Sequence, residues 1–285
     1  MRVQALGLCR FSYLGEGGFQ IEHETLAGRR ALLYDDERLA LRFMWFEQVC
    51  LPGWAAQTDP DFTLVVLTGA DFPQRWLGRL RDVSAHIPQI VIEQAEPGPH
   101  REICRRALLR HIEPLAAVVG QFRHDDDDAV AIDYVARIRA DFIGKLQPLY
   151  AAHSLLSVDY SRGVTLAAIH GRVQILPQIS HNLAVALTIY MPPDHPKSAL
   201  DYGHHRLNNL MQGVCFQDSV MFVRGKHGHN DSGGPLMSGY AWPMKVENHK
   251  AILQKRFAID LAGFARAVQT LASPSPALES RDRKS

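Results

Sequence analysis

Residues 62–68, Phe-Thr-Leu-Val-Val-Leu-Thr, form an apolar run without in–out alternation. A strand tolerates such a run only when both of its faces are covered. The flanking segments supply the cover. Residues 3–11 read as a first strand, followed by the glycine-rich segment Gly15-Glu-Gly-Gly18. Leu39, Phe43, Phe46 and Cys50 recur at helical spacing, and Pro52-Gly53 is expected to interrupt that helix. Pro73 opens a helix carrying Leu77, Leu80, Val83 and Ile87. Residues 89–92 form a short strand, Ile103, Ala107, Leu108 and Ile112 mark another helix, and residues 118–122 a fourth strand. Strand and helix alternating four times predict an α/β fold, its mostly parallel central sheet built from right-handed crossovers.

The second half reads differently. Residues 164–169 and 172–176 flank His170-Gly171, a two-residue hairpin turn. Residues 183–191 and 214–223 are further strands, and Pro192-Pro193, Pro196 and the stretch from Gly225 to Gly239 mark long loops. Phe257, Leu261, Phe264, Val268 and Leu271 predict one final helix, and residues 273–285 a disordered tail.

The totals exclude several classes. With 285 residues and 46% hydrophobic residues, the chain can bury a large core. A formal net charge of +1 offers no global field for nucleic acid. Cys9, Cys50, Cys104 and Cys215 are dispersed and form no C-x-x-C pair, so they read as reduced thiols of a cytoplasmic protein. No charged segment precedes an apolar one at the start, and no run reaches about 18 apolar residues; peripheral membrane contact stays open.

Chemistry concentrates in Asp125-Asp-Asp-Asp128, which follows the apolar run at residues 115–122. Val130, Tyr134 and Ile138 lie at i, i+4 and i+8, so a helix is expected straight after, and the aspartates occupy a strand-to-helix corner. In open α/β sheets ligands bind at the carboxyl ends of strands. Several hard oxygen ligands there suit Mg²⁺ or Mn²⁺ held against phosphates. His227 and His229, two apart on an extended segment, point the same way, beside Arg224 and Lys226.

Arg10-Phe-Ser-Tyr13, Leu51-Pro52, Gln57-Thr-Asp-Pro-Asp-Phe62, Arg123-His-Asp-Asp-Asp-Asp128 and His227-Gly-His-Asn230 together resemble the putative rhamnosyltransferase family, over roughly residues 3–230. That resemblance implies a glycosyltransferase of GT-A type. It further implies one domain over residues 1–272, with a nucleotide-sugar half at 1–128 and an acceptor half at 129–272. By the family pattern Asp125 and Asp127 form the metal motif, with a register shift to Asp126 and Asp128 left open, and His227 or His229 completes the metal site. Arg10, Phe11 and Asp125 would line the nucleotide, and Arg101 and Arg105 meet the diphosphate. The partners implied are a nucleotide-sugar donor and a saccharide or other acceptor. Transfer from a β-linked rhamnose donor to an α-linked product implies inversion, which needs a base to take the acceptor's proton. Asp201, followed by Tyr202-Gly-His-His205, and Asp159, beside Tyr160 and Arg162, are the candidates, with Asp194 also placed suitably.

Two enzyme alternatives use the same aspartates, a metal-dependent nucleotidyltransferase and a phosphohydrolase; a non-catalytic carbohydrate- or nucleotide-binding module is the third. Asn230-Asp-Ser-Gly-Gly-Pro-Leu236 and Ala151-Ala-His153-Ser mimic blocks of chymotrypsin-like proteases. His153 and Ser232 lie too close in sequence for two barrels, and the α/β first half contradicts that fold. The spacing at Gly15-x-Gly17-Gly18 departs from the dinucleotide fingerprint.

Overall fold

The computed structural model describes residues 1–17, 25–228, 236–237 and 239–272. His229, Ser232 and the tail at 273–285 lie outside the described residues. Strand β1 (Val3–Arg10) is followed by a two-residue strand β2 (Gly15–Glu16) and helices α1 (Leu26–Leu33) and α2 (Asp36–Trp45). A π-helical turn, Phe46–Cys50, carries α2 directly into α3 (Leu51–Ala55). Pro52 therefore does not interrupt the helix as expected. It sits in the first turn of α3, where a missing N–H is best tolerated. Then come β3 (Thr63–Gly69), α4 (Gln74–Ser84), β4 (Ile90–Ala95), β5 (Gly98–Pro99), α5 (His100–Leu109) and β6 (Val118–Asp125).

The four long strands of this half are mutually parallel and lie in the order β4-β3-β1-β6. The chain works outward from β1 to β4 and returns to the other side of β1 with β6. That reversal opens a crevice at the carboxyl ends of β1 and β6, where Arg10 and Asp125 are register partners. Both faces of the sheet are covered, as the unbroken apolar run demands. Leu6, Leu8, Val65 and Leu67 pack on Ile103, Cys104 and Leu108 of α5, and Cys9, Leu64 and Val66 pack with Phe43, Trp76 and Leu77 of α2 and α4.

The second half supplies β7 (Ala129–Val130), α6 (Tyr134–Asp141), a second π-helical turn at Phe142–Leu146, α7 (Gln147–His153), β8 (Leu156–Tyr160), β9 (Arg162–Ile169), β10 (Arg172–Ile179), β11 (Leu187–Met191), β12 (Gln212–Phe216), β13 (Phe222–His227), β14 (Tyr240–Ala241), α8 (His249–Phe257) and α9 (Leu261–Ala272). Strand β11 runs antiparallel to β6 and extends the sheet to β8 and β12, seven strands in all. A second sheet has the order β14-β10-β9-β13-β7. The β9–β10 hairpin turns at His170 and Gly171, both at positive φ (49° and 72°), as a tight two-residue turn requires.

Three local expectations need correction. The helix after the aspartates starts at Tyr134, because Ala129 and Val130 first pair with Val223 and Phe222 of β13. Residues 214–223 are not one strand: β12 joins the large sheet and β13 the second. The final helix is broken at Ala258, whose φ of 57° closes α8. Cys9, Cys50 and Cys104 are buried, Cys215 is exposed, and all four thiols are free. Among the described residues no helix is long and apolar enough to cross a membrane.

Candidate active site

The aspartate corner is the end of β6 and the tight turn after it, in which the Asp128 N–H donates to the Asp125 carbonyl at 3.1 Å. The strand end and the turn after it sort the four carboxylates. Asp125 accepts from Arg10 at 3.1 Å and faces Arg123 at 3.4 Å. Burial opposes its charge, but Arg123 and Arg10 hold the carboxyl below the usual range. Asp126 points the other way, has no exposed surface, and is gripped through both oxygens by Arg42, with Nε at 2.9 Å. Burial and the neighbouring Asp127 push its carboxyl up against the pull of Arg42.

Asp127 returns to the Asp125 side. Its Oδ2 lies 3.1 Å from His227 Nε2 and 3.7 Å from Arg42 Nη1. Burial works against the charge here too, yet Arg42 and the His227 hydrogen bond hold the carboxyl below its ordinary value. Asp128 accepts from the Gly225 N–H at 2.9 Å, and burial with the charges of Asp127 and Asp125 pushes it well up. The corner thus carries two carboxylates held charged, two apart, and two pushed toward the protonated form.

Strand β13 brings His227 to Asp127 by passing unusually close to the corner. A Cβ on Gly225 would lie inside the Asp127 carbonyl oxygen and 2.9 Å from its carbon, so only glycine permits the approach.

A cavity of about 450 Å³ opens above the corner, within the range of small-molecule sites. Six arginines line it, Arg10, Arg38, Arg42, Arg101, Arg123 and Arg224, against three aspartates, Asp125, Asp127 and Asp128. The excess of guanidinium suits a bound polyanion. His100, also on the wall, lies 3.1 Å from Arg10 Nη1; burial and the Arg10 charge lower its pKa to about 3, so it stays neutral and accepts that bond. Residues 183–185 with Tyr202, His204 and His205 also line the cavity.

Of the residues singled out in the sequence, Arg10, Arg101, Asp125 and Asp127 line this cavity and His227 bonds to Asp127. Phe11 does not. It is fully buried, with rings of Phe43 and Phe46 at 4.8 and 5.0 Å, and so has no face for a nucleotide. Arg105 is tied to Asp201 at 2.9 Å instead of facing a diphosphate. Asp201 is a capping residue: besides Arg105, its other oxygen accepts from the Ser198 N–H at 2.8 Å and hydroxyl at 2.9 Å. A carboxylate so engaged is ill placed to take a proton. Asp159 faces a separate cavity of about 310 Å³, together with His181 and Cys215; burial pushes its carboxyl up to about 6.

Sequence reasoning missed Arg38, Arg42, Arg123 and His100. Arg38 and Arg42 did leave a signal, two arginines at i, i+4 next to Leu39 and Phe43, where a buried helix face is being built.

Among solved structures, Staphylococcus aureus TarS residues 1–349 in complex with UDP-GlcNAc is similar at 15% identity and a TM-score of 0.43, over 82% of this chain and 62% of that one. The same protein in complex with UDP gives 14% identity and 0.39, over 79% and 60%. A putative nucleotide-diphospho-sugar transferase from Desulfovibrio desulfuricans G20 gives 11% and 0.35, over 95% and 97%. The chain thus spans about 60% of the TarS fragment. No curated protein matches it. The family model described as "Putative rhamnosyl transferase" matches residues 4–239. With that match over most of its length, the chain belongs to the putative rhamnosyl transferase family.

Proposed function

We propose that this protein is a metal-dependent glycosyltransferase. It moves a sugar, rhamnose by the family's description, from a nucleoside-diphosphate donor to a saccharide or other acceptor with inversion, and residues 1–272 act as one catalytic unit. The observation that carries this reading is the cavity at the carboxyl ends of β1 and β6, where six guanidiniums meet a corner holding Asp125 and Asp127 charged. Guanidiniums recognise a diphosphate through charge-assisted bonds and stabilise the charge that develops as it leaves.

The donor set fits a hard divalent cation. Adjacent ligands of an octahedral ion with bonds of about 2.1 Å lie about 3 Å apart. Asp127 Oδ2 and His227 Nε2, hydrogen-bonded at 3.1 Å, stand at that separation and would exchange the bond for the ion. Asp125, expected from the family pattern as a ligand, does not complete a three-ligand group with them. Mg²⁺ or Mn²⁺ asks for little more from the protein, since water and phosphates supply the remaining positions. When bound there, the ion would polarise the diphosphate as a Lewis acid. Arg42 Nη1 lies 3.7 Å from the same Asp127 oxygen, and Asp126 in turn holds Arg42.

The base role passes to His204. Its Nδ1–H donates to the Asn182 carbonyl at 2.6 Å, which makes Nε2 the accepting nitrogen. Burial and then Arg123 lower its pKa, so the imidazole is neutral on the cavity wall and able to take a proton.

The test is calorimetry with a nucleoside diphosphate, with and without Mn²⁺, on the native protein and on Asp127→Ala. Metal-dependent affinity that the substitution removes supports the reading. Equal affinity without metal in both proteins would point to a binding module. Product analysis with a panel of nucleotide sugars then separates transfer to an acceptor from hydrolysis or nucleotidyl transfer.

A further inference from the structure

The smaller cavity carries a site of its own. Strands β8 and β12 are parallel neighbours in which Asp159 and Cys215 are direct register partners, so their side chains stand on one face of the sheet. His181, in the segment after β10, completes a triangle: His181 Nδ1 lies 3.5 Å from Asp159 Oδ2 and 3.5 Å from Cys215 Sγ. All three ligand atoms lie within 4.8 Å of one another, and among the described residues no other group of three or more such side chains does so.

The spacing is informative. In a tetrahedral zinc site with bonds of about 2.0–2.2 Å to nitrogen and oxygen and about 2.3 Å to sulfur, N···O is about 3.4 Å and N···S about 3.6 Å. Two further observations point to a ligand. Asp159 is 5% exposed, yet its Oδ1 has no hydrogen-bond partner. A buried carboxylate oxygen left unpaired is costly. The surroundings also orient the donors, as outer shells of metal sites do: the Asn182 N–H donates to Asp159 Oδ2 at 3.0 Å, and the Ser161 hydroxyl lies 3.0 Å from Cys215 Sγ.

We propose that Asp159, His181 and Cys215 bind a zinc ion with three protein ligands and a fourth position open to the 310 Å³ cavity. The mixed carboxylate, imidazole and thiolate set selects Zn²⁺ over Mg²⁺. On binding, the Cys215 thiol gives its proton to solvent and the thiolate bonds the ion. The site also touches the donor cavity. Asn182 links it to His204 through the carbonyl bond, and residues 183–185 run on into the wall of that cavity.

The test exploits burial, because Cys215 is the exposed thiol and the other three are buried. A chromogenic aryl disulfide should label one thiol per native chain. Zn²⁺ at about 100 times its Kd should slow that labelling about a hundredfold, a chelator should restore it, and Mg²⁺ should leave it unchanged. Protection should persist in Asp127→Ala, which separates this site from the aspartate corner, and should vanish in His181→Ala. Co²⁺ should give a thiolate charge-transfer band that Cys215→Ser removes. Labelling that Zn²⁺ does not slow, or protection that His181→Ala retains in full, overturns the proposal.

Discussion

Asp126 lies beneath the cavity with no exposed surface, both oxygens committed to Arg42. Removing one partner of a buried ion pair leaves the other charge uncompensated, at a cost of about 3–5 kcal/mol. Asp126→Asn should therefore lower stability by about that amount in urea unfolding, whereas Asp127→Asn, which leaves Arg42 its Asp126 partner, should cost less and lose metal-linked nucleotide binding. Equal stability of the two variants would undo this division of roles. For the base, His204→Gln should reduce turnover by about 10²–10⁴ with donor affinity kept. A loss confined to donor affinity would remove His204 from that role. The four aspartates were legible in sequence as a cluster, but the turn after β6 decides that Asp125, Asp127 and Asp128 line the cavity and Asp126 does not. The arginines were not, because a guanidinium buried on α2 and one on a solvent face look alike until the sheet edge they meet is known.

Between elements, the decisive contact is the crossing of β13 over the corner. Gly225→Ala would push its Cβ into the Asp127 backbone, and backbone cannot swing aside as a side chain can. We expect this single methyl to lower both stability and nucleotide affinity, with His227 displaced from Asp127. Titration by urea and by nucleoside diphosphate checks both, and native affinity in the variant would show that the close approach is dispensable. The first half was legible at this scale because continuous apolar runs alternate with amphipathic helices, a pattern that few other folds produce. The division of residues 212–227 between two sheets was not, since two short apolar strands joined by a few residues read as one. Nor were the π-helical turns at Phe46–Cys50 and Phe142–Leu146, which shift the helical register without changing residue types.

At the scale of the molecule the two halves share one core: Phe122 of β6 stacks on Trp54 and meets Tyr134, which in turn meets Tyr160 of β8. One buried side chain adds an acid-sensitive contribution to the stability of the whole. His100 titrates near 6.5 when unfolded and near 3 when folded, so the unfolded chain binds its proton first. The stability its neutrality lends is present above about pH 6.5 and is lost as pH falls toward 3. Asp125, held below the usual carboxylate range, adds a loss in the same direction at lower pH. Asp126, Asp128 and Asp159, pushed up by burial, act in the opposite direction, so the contribution of His100 is read as a difference. Relative to the native protein, the unfolding midpoint of His100→Gln should drop less, or rise more, between pH 7 and 5, and an unchanged pH dependence would clear His100. One further consequence follows from the pairing of Arg10 with Asp125. A diphosphate that draws Arg10 toward itself weakens the counter-charge on Asp125, and a cation bound at the corner would restore it. Donor and cation are then thermodynamically linked: whatever factor one adds to the other's affinity is returned in equal measure.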